Sequence, residues 1–135
     1  MTGETNLDVL ISTMKPHLND GDYVFYSLQN EATDFPNYLF FFRENEGVTI
    51  VCTKEYADNE GYTYNSTFAW ITLKVHSALE AVGLTAAFSK ALGDKNISCN
   101  VVAGYYHDHI FVPKEHAHAA LKALENLSIQ KGTPQ

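Results

Sequence analysis

Basic residues are scarce in this 135-residue chain. Arg43 is its one arginine, and nine Lys and Arg together face sixteen Asp and Glu, for a formal net charge of −7. With no basic footprint, the chain has nothing to hold phosphate backbones or anionic lipid, which argues against nucleic acid and membrane surfaces as partners. Long apolar runs are missing too. The longest, Tyr38-Leu39-Phe40-Phe41-Phe42, falls far below the ~20 residues of a membrane span and reads as a core strand. The first six residues lack the basic and apolar segments of a secretory signal, so a cytoplasmic protein is expected. Cysteine is limited to Cys52 and Cys99. Both lie in apolar strand patterns without a CxxC or a matching His spacing, which points to buried thiols and not to a disulfide or zinc site. No GxSxG, Walker A, HExxH or GxGxxG occurs, so no catalytic residue, metal or cofactor is expected.

What is present is enough apolar residue, 45% of the chain, for one compact domain or two small fused units. Thr5-Asn6-Leu7-Asp8 fits a capping box, and Leu7, Leu10, Ile11 and Met14 follow at helical spacing until Pro16 stops the helix. After the turn at 19–22 the pattern predicts strands at 23–28, 38–42 and 48–52, then a helix over 54–59 ending at Gly61. The second half predicts a strand at 68–75 and a helix whose Leu84, Ala87, Phe88, Ala91 and Leu92 share a face, stopped by Gly93. Strands at 97–103 and 109–112 flank a turn at 104–108. Pro113 then opens a helix that turns Ala117, Ala120, Leu121, Leu124 and Leu127 inward.

The halves show traces of duplication. Ile50-Val51-Cys52-Thr53-Lys54-Glu55-Tyr56-Ala57 aligns without gaps with Ile110-Phe111-Val112-Pro113-Lys114-Glu115-His116-Ala117, repeating one strand-to-helix junction. Upstream, 14–25 and 90–101 both read as helix end, turn and strand start. A β-α-β-β-α element with short antiparallel connections belongs to the ferredoxin-like, split βαβ architecture within the α+β class, its helices packed on one face. One strand per half is unaccounted for, because nothing precedes helix one and Gly132 and Pro134 disfavour a closing strand after 129. The strand around Trp70 serving both halves, or an exchange of strands, would resolve this.

The segment His76-Ser77-Ala78-Leu79-Glu80-Ala81-Val82-Gly83-Leu84, followed by a helix and then Asn96-Ile97-Ser98-Cys99-Asn100-Val101, resembles the ACT domain, a small-molecule regulatory module of amino-acid metabolism. Val82-Gly83-Leu84 stands where that family often has Pro-Gly-Leu. The run from Phe68 through Pro113, with 44–51, is similar to small bacterial tandem ACT-like proteins of unassigned activity, and more distantly to CASTOR-type arginine sensors. The resemblance implies a tandem repeat: an N-terminal unit over residues 1–66, a C-terminal unit over 67–128 and a tail at 129–135. It also implies a ligand site where the first strand meets the first helix.

The physics of that loop agrees. Gly83 permits close backbone approach, and first-turn N–H groups favour a carboxylate. Ser77, Ala78, Leu79, Val82, Gly83 and Leu84 are therefore the expected ligand-binding residues, with Asn100 taking an α-amino or amide group. In the competing structural reading, Ser77 caps the helix with Glu80 completing a capping box, and Gly83 serves packing alone. His107-Asp108-His109 is the other cluster that draws notice. On a strand the two imidazoles would share a face ~6–7 Å apart, yet His116 and His118, two residues apart on a helix, cannot both join them as metal ligands.

The function expected from these residues is a non-catalytic, small-molecule-binding regulatory protein sensing an amino acid or similar metabolite, and forming a homodimer or larger homo-oligomer. The alternatives are a protein-interaction module using the hairpin at 104–108, and a His-based metal-binding protein.

Overall fold

The computed structural model describes residues 6–75 and 82–132. Helix α1 (Leu7–Thr13) is capped by Asn6, whose side chain accepts from the Val9 N–H at 3.1 Å. The cap expected at Thr5 thus sits one residue later. Leu10, Ile11 and Met14 are buried as their spacing implies. Pro16 does more than end this helix: Lys15–Leu18 is a strand, β1, absent from the expected elements. It lies at an edge, where proline costs no ladder hydrogen bond.

Strand β2 (Tyr23–Leu28) leads through a single 3-10 turn (Phe35–Asn37) to β3 (Phe40–Arg43) and β4 (Val48–Thr53). Thr53 caps α2 (Lys54–Glu60) by accepting from the Tyr56 N–H, and Gly61 ends it in the left-handed conformation, φ 74°. Glycine adopts that φ with no penalty from a Cβ. Then come β5 (Phe68–Lys74), α3 (Leu84–Gly93), β6 (Asn100–Ala103), β7 (Asp108–Pro113), a 3-10 turn (Lys114–His116) and α4 (Ala117–Gly132). The second half is the expected β-α-β-β-α, with β6 beginning at Asn100 and not at 97. The repeated junctions are β4 into α2 and β7 into the turn before α4. The upstream pair differs, because 14–25 contains β1 and 90–101 holds no such strand.

The strands form one antiparallel sheet, order β3-β4-β2-β5-β7-β6, with β1 also paired to β5. Strand β5 is the hinge of the topology. One edge carries β7 from Phe68↔Pro113 to Leu73↔Asp108; the other carries β1 from Lys15↔Lys74 to Leu18↔Ile71 and then β2 at Tyr23↔Phe68. Four residues, 19–22, face two on β5, so β1 and β2 form one bulged edge held by Asn19 N–H to the Trp70 carbonyl at 2.9 Å. The order β3-β4-β2-β5 and the order β1-β5-β7-β6 are each a four-stranded split βαβ sheet, and they share β5.

Helices cover one face. Under α1, α3 and α4 lie Ala69, Ile71, Leu73, Ile110 and Val112; near α2 lie Val24, Ile50 and Cys52. Ser128 on α4 donates to the carbonyls of Ser12 and Met14, both at 3.1 Å, satisfying the end of α1. The other face carries Tyr23, Phe25, Phe40, Phe68, Trp70 and Phe111 in edge-on and tilted contacts. Both thiols are free, Cys52 buried and Cys99 half-buried. Burial pushes the Cys52 thiol up to about 11, an inert structural thiol.

Candidate ligand site

The loop expected to bind ligand joins β5 to α3, and only this half has a helix after its first strand. In the other half, the segment from β2 to β3 carries the 3-10 turn Phe35–Asn37 instead. Among the described residues, β5 and α3, on either side of residues 76–81, are the one first-strand-then-helix pair of the required kind. Ser77, Ala78 and Leu79 lie outside them.

Helix α3 starts at Leu84, with Gly83 as its N-cap at φ 100°, and Gly83 offers no side-chain oxygen to the first turn. The capping box expected at Ser77 and Glu80 lies outside the described residues. The missing side chain at Gly83 also makes room: a Cβ there would stand 3.0 Å from Leu7 Cδ2. Leu84, Phe88 and Leu92 anchor α3 in the core, while Val82 just before the cap is 83% exposed. The helix start is thus anchored in the core through Leu84, and the residue before its cap is exposed. Its first-turn amides carry the positive end of the helix dipole, which suits a carboxylate.

Two residues not foreseen border this corner. Leu7 brings α1 against Gly83, and the His107 Nδ1–H donates to the Val75 carbonyl at 3.4 Å, where β5 enters the loop. The Leu7 contact leaves no local signal, since α1 is distant in sequence. His107 was noted, but for metal chemistry.

Asn100 is not brought to the loop. It lies on β6, separated from β5 by β7, and pairs with Phe111, so its side chain sits on the aromatic face. Its Nδ2–H donates to the Phe111 carbonyl at 3.2 Å. Phe111 is level with Trp70 on β5, four residues, roughly 13 Å, before the strand's end.

The histidine pair is likewise separated by its partners. His107 faces the Val75 carbonyl, whereas the Trp70 indole N–H donates to His109 Nδ1 at 3.0 Å. Burial and the nearby His107 hold the His109 imidazolium unfavourable, and burial raises the Asp108 carboxyl. Among the described residues, no three His, Cys, Asp or Glu side chains gather closely enough to hold a metal ion.

ACT-domain models match residues 2–69 and residues 65–126, together nearly the whole chain. The chain belongs to the ACT-domain family. Its two ACT matches overlap at 65–69, where β5 begins. Among solved structures, a Vibrio cholerae protein of unknown function, described as a possible transport protein, is 48% identical over 90% of this chain and 95% of its own, with a TM-score of 0.83. An Agrobacterium tumefaciens protein is 17% identical over 85% and 89%, TM-score 0.72. The regulatory subunit of aspartate kinase from Thermus thermophilus is 9% identical over 87% and 98%, TM-score 0.59. The last two share the fold. No curated protein matches the chain by sequence. ACT domains are typically regulatory, ligand-binding modules, and that is the coarse function the two matches support. No described helix is long and apolar enough to cross a membrane.

Proposed function

We propose that this tandem ACT protein is a non-catalytic sensor of an amino acid or similar small carboxylate, bound at the β5–α3 corner by Ser77, Ala78, Leu79, Val82, Gly83 and Leu84. The observation that carries the reading is the α3 start itself: left-handed Gly83 without a capping side chain, at the corner where the likeness to ACT domains implies a ligand. The carboxylate meets the amides of the first turn, and the His107 side selects what extends beyond it. Asn100 is left out of this site, because its side chain works on the opposite face. The sensor acts in the cytoplasm and answers by changing its self-association, for which the edges of β3 and β6, unpaired among the described residues, provide surfaces.

Thermal-shift titration with the twenty amino acids tests this. At 100 times its Kd a ligand adds about 2.7 kcal/mol, roughly 10 °C in a domain of this size. The account expects such a rise with at least one amino acid, and its loss in Val82→Glu, which sets a carboxylate beside the helix start without touching the core. No rise with any of them, or an equal rise in Val82→Glu, would refute it.

One observation favours a second reading, a protein-interaction module. Tyr105 and Tyr106 are exposed together at the tip of the β6–β7 hairpin, their rings edge-on at 5.1 Å. On that reading Tyr105→Ala and Tyr106→Ala abolish association and no amino acid stabilises the protein.

A further inference from the structure

The aromatic face opposite the helices holds a cavity of about 220 Å3, lined by Leu39, Phe40, Trp70, Val102, Gly104, His109 and Phe111. It lies across the sheet from α3, so it is separate from the β5–α3 corner. Its walls are three aromatic rings and two aliphatic side chains, and Trp70 and Phe111 stand nearly parallel, 15° apart. No Lys, Arg, Asp or Glu contributes to it.

The polar element of this wall has a defined orientation. The Trp70 indole nitrogen can only donate, and it donates to His109 Nδ1 at 3.0 Å. Nδ1 is therefore the acceptor, and the proton of the neutral imidazole rests on Nε2. The Thr72 hydroxyl stands 3.2 Å from the same Nδ1 and accepts from Asn19 Nδ2–H at 2.9 Å, which fixes the ring from the side away from the cavity. On the cavity side stands Gly104. A Cβ there would lie 3.2 Å from His109 Nε2, so any side chain at 104 would crowd the Nε2–H. The result is an apolar slot with one oriented donor.

Volume and chemistry together narrow the occupant. An apolar cavity of ~150 Å3 takes a benzene ring. The remaining volume here admits a substituent of about two to three heavy atoms, on the scale of ~30 Å3 for each water-sized unit. A donor without a cation suits a neutral oxygen and leaves an anionic carboxylate unpaired in an apolar wall. We propose that this cavity is a second ligand site, for a neutral single-ring aromatic molecule whose oxygen accepts from His109 Nε2–H while its ring packs against Phe40, Trp70 and Phe111.

Trp70 is the one tryptophan of the chain and lines the cavity, so its fluorescence reports occupancy directly. The probe is benzamide, titrated into the full-length protein, with benzoate and toluene as the charged and acceptor-free counterparts. Benzamide is expected to change Trp70 emission saturably with a Kd near or below about 1 mM, a modest value for nine heavy atoms. Benzoate and toluene should each bind at least about fivefold more weakly, the worth of one net hydrogen bond. Val102→Phe fills the slot from an edge strand that tolerates aromatic residues, and should weaken benzamide about tenfold or more while far-ultraviolet circular dichroism stays unchanged. Tyr105→Ala and Val82→Glu, both outside the cavity, should bind benzamide as the parent does, which separates this site from the α3 corner. The proposal is overturned if benzamide leaves Trp70 emission unchanged, if benzoate or toluene binds equally well, or if folded Val102→Phe binds benzamide like the parent.

Discussion

At Gly83 two constraints meet: a φ of 100° that L side chains rarely adopt, and a Leu7 methyl 3.0 Å from where a Cβ would sit. Gly83→Ala should therefore cost about 1–3 kcal/mol, the usual price of a non-glycine residue held in that region, read by chemical denaturation. Part of the loss belongs to the clash, so a double-mutant cycle with Leu7→Ala should show coupling of about 0.5 kcal/mol or more; strict additivity would mean backbone strain alone is responsible. This also explains why a bulky residue at Gly83 is a poor probe of ligand binding and exposed Val82 a good one. His109 supplies a pH dependence. Its folded imidazole resists protonation, chiefly through burial, so as pH falls through the unfolded value near 6.5 the unfolded chain gains a proton that the folded chain refuses. Stability contributed by neutral His109 is thus present above about pH 6.5 and is lost below it, until the folded group protonates too. The melting temperature should drop between about pH 7.5 and about pH 5.5, and His109→Gln should flatten the drop. An unchanged slope in that variant would show that other groups cause it. Roles such as these were beyond sequence pattern: Gly83 was legible as a loop glycine, but the Leu7 contact and the Trp70–His109 hydrogen bond depend on residues far apart in the chain.

Among the elements, those with strong periodicity were readable and those defined by pairing were not. Strand β2 and helix α3 fall where alternation and the Leu84–Phe88–Leu92 spacing put them. Strand β1 was hidden because Pro16 reads as a helix stop, although Pro16 and Leu18 alternate with Lys15 and His17 as an edge strand does. Helix α4 runs on to Gly132, through residues expected to be tail. The missing strand of the second half is β1, delivered from the N-terminus, and the fourth strand of the first half is β5 itself. Such sharing has a consequence. The segment 67–135 lacks β1 and α1, and so loses the edge at Ile71–Lys74 and the cover provided by Leu10, Ile11 and Met14. Expressed alone, it should lack the cooperative thermal transition of the full chain, since burying three such side chains is worth about 5–9 kcal/mol, comparable to the whole stability of a small domain. A separate sharp transition in that fragment would show that β1 and α1 are dispensable.

For the whole molecule, the duplicated halves are unequal in a way that organises function. One half keeps a strand-to-helix corner and the other has replaced it with a 3-10 turn, while the shared sheet presents helices on one side and an aromatic surface on the other. The proposed amino-acid site is therefore a single corner, apart from the aromatic cavity. Amide chemical-shift mapping by NMR during titration with the stabilising amino acid tests this most directly. The expected shifts concentrate on residues 77–87, with Leu7 and His107 following and Trp70, Val102 and Phe111 still. Shifts centred on the aromatic face, or none at any amino acid concentration that saturates the thermal response, would contradict it.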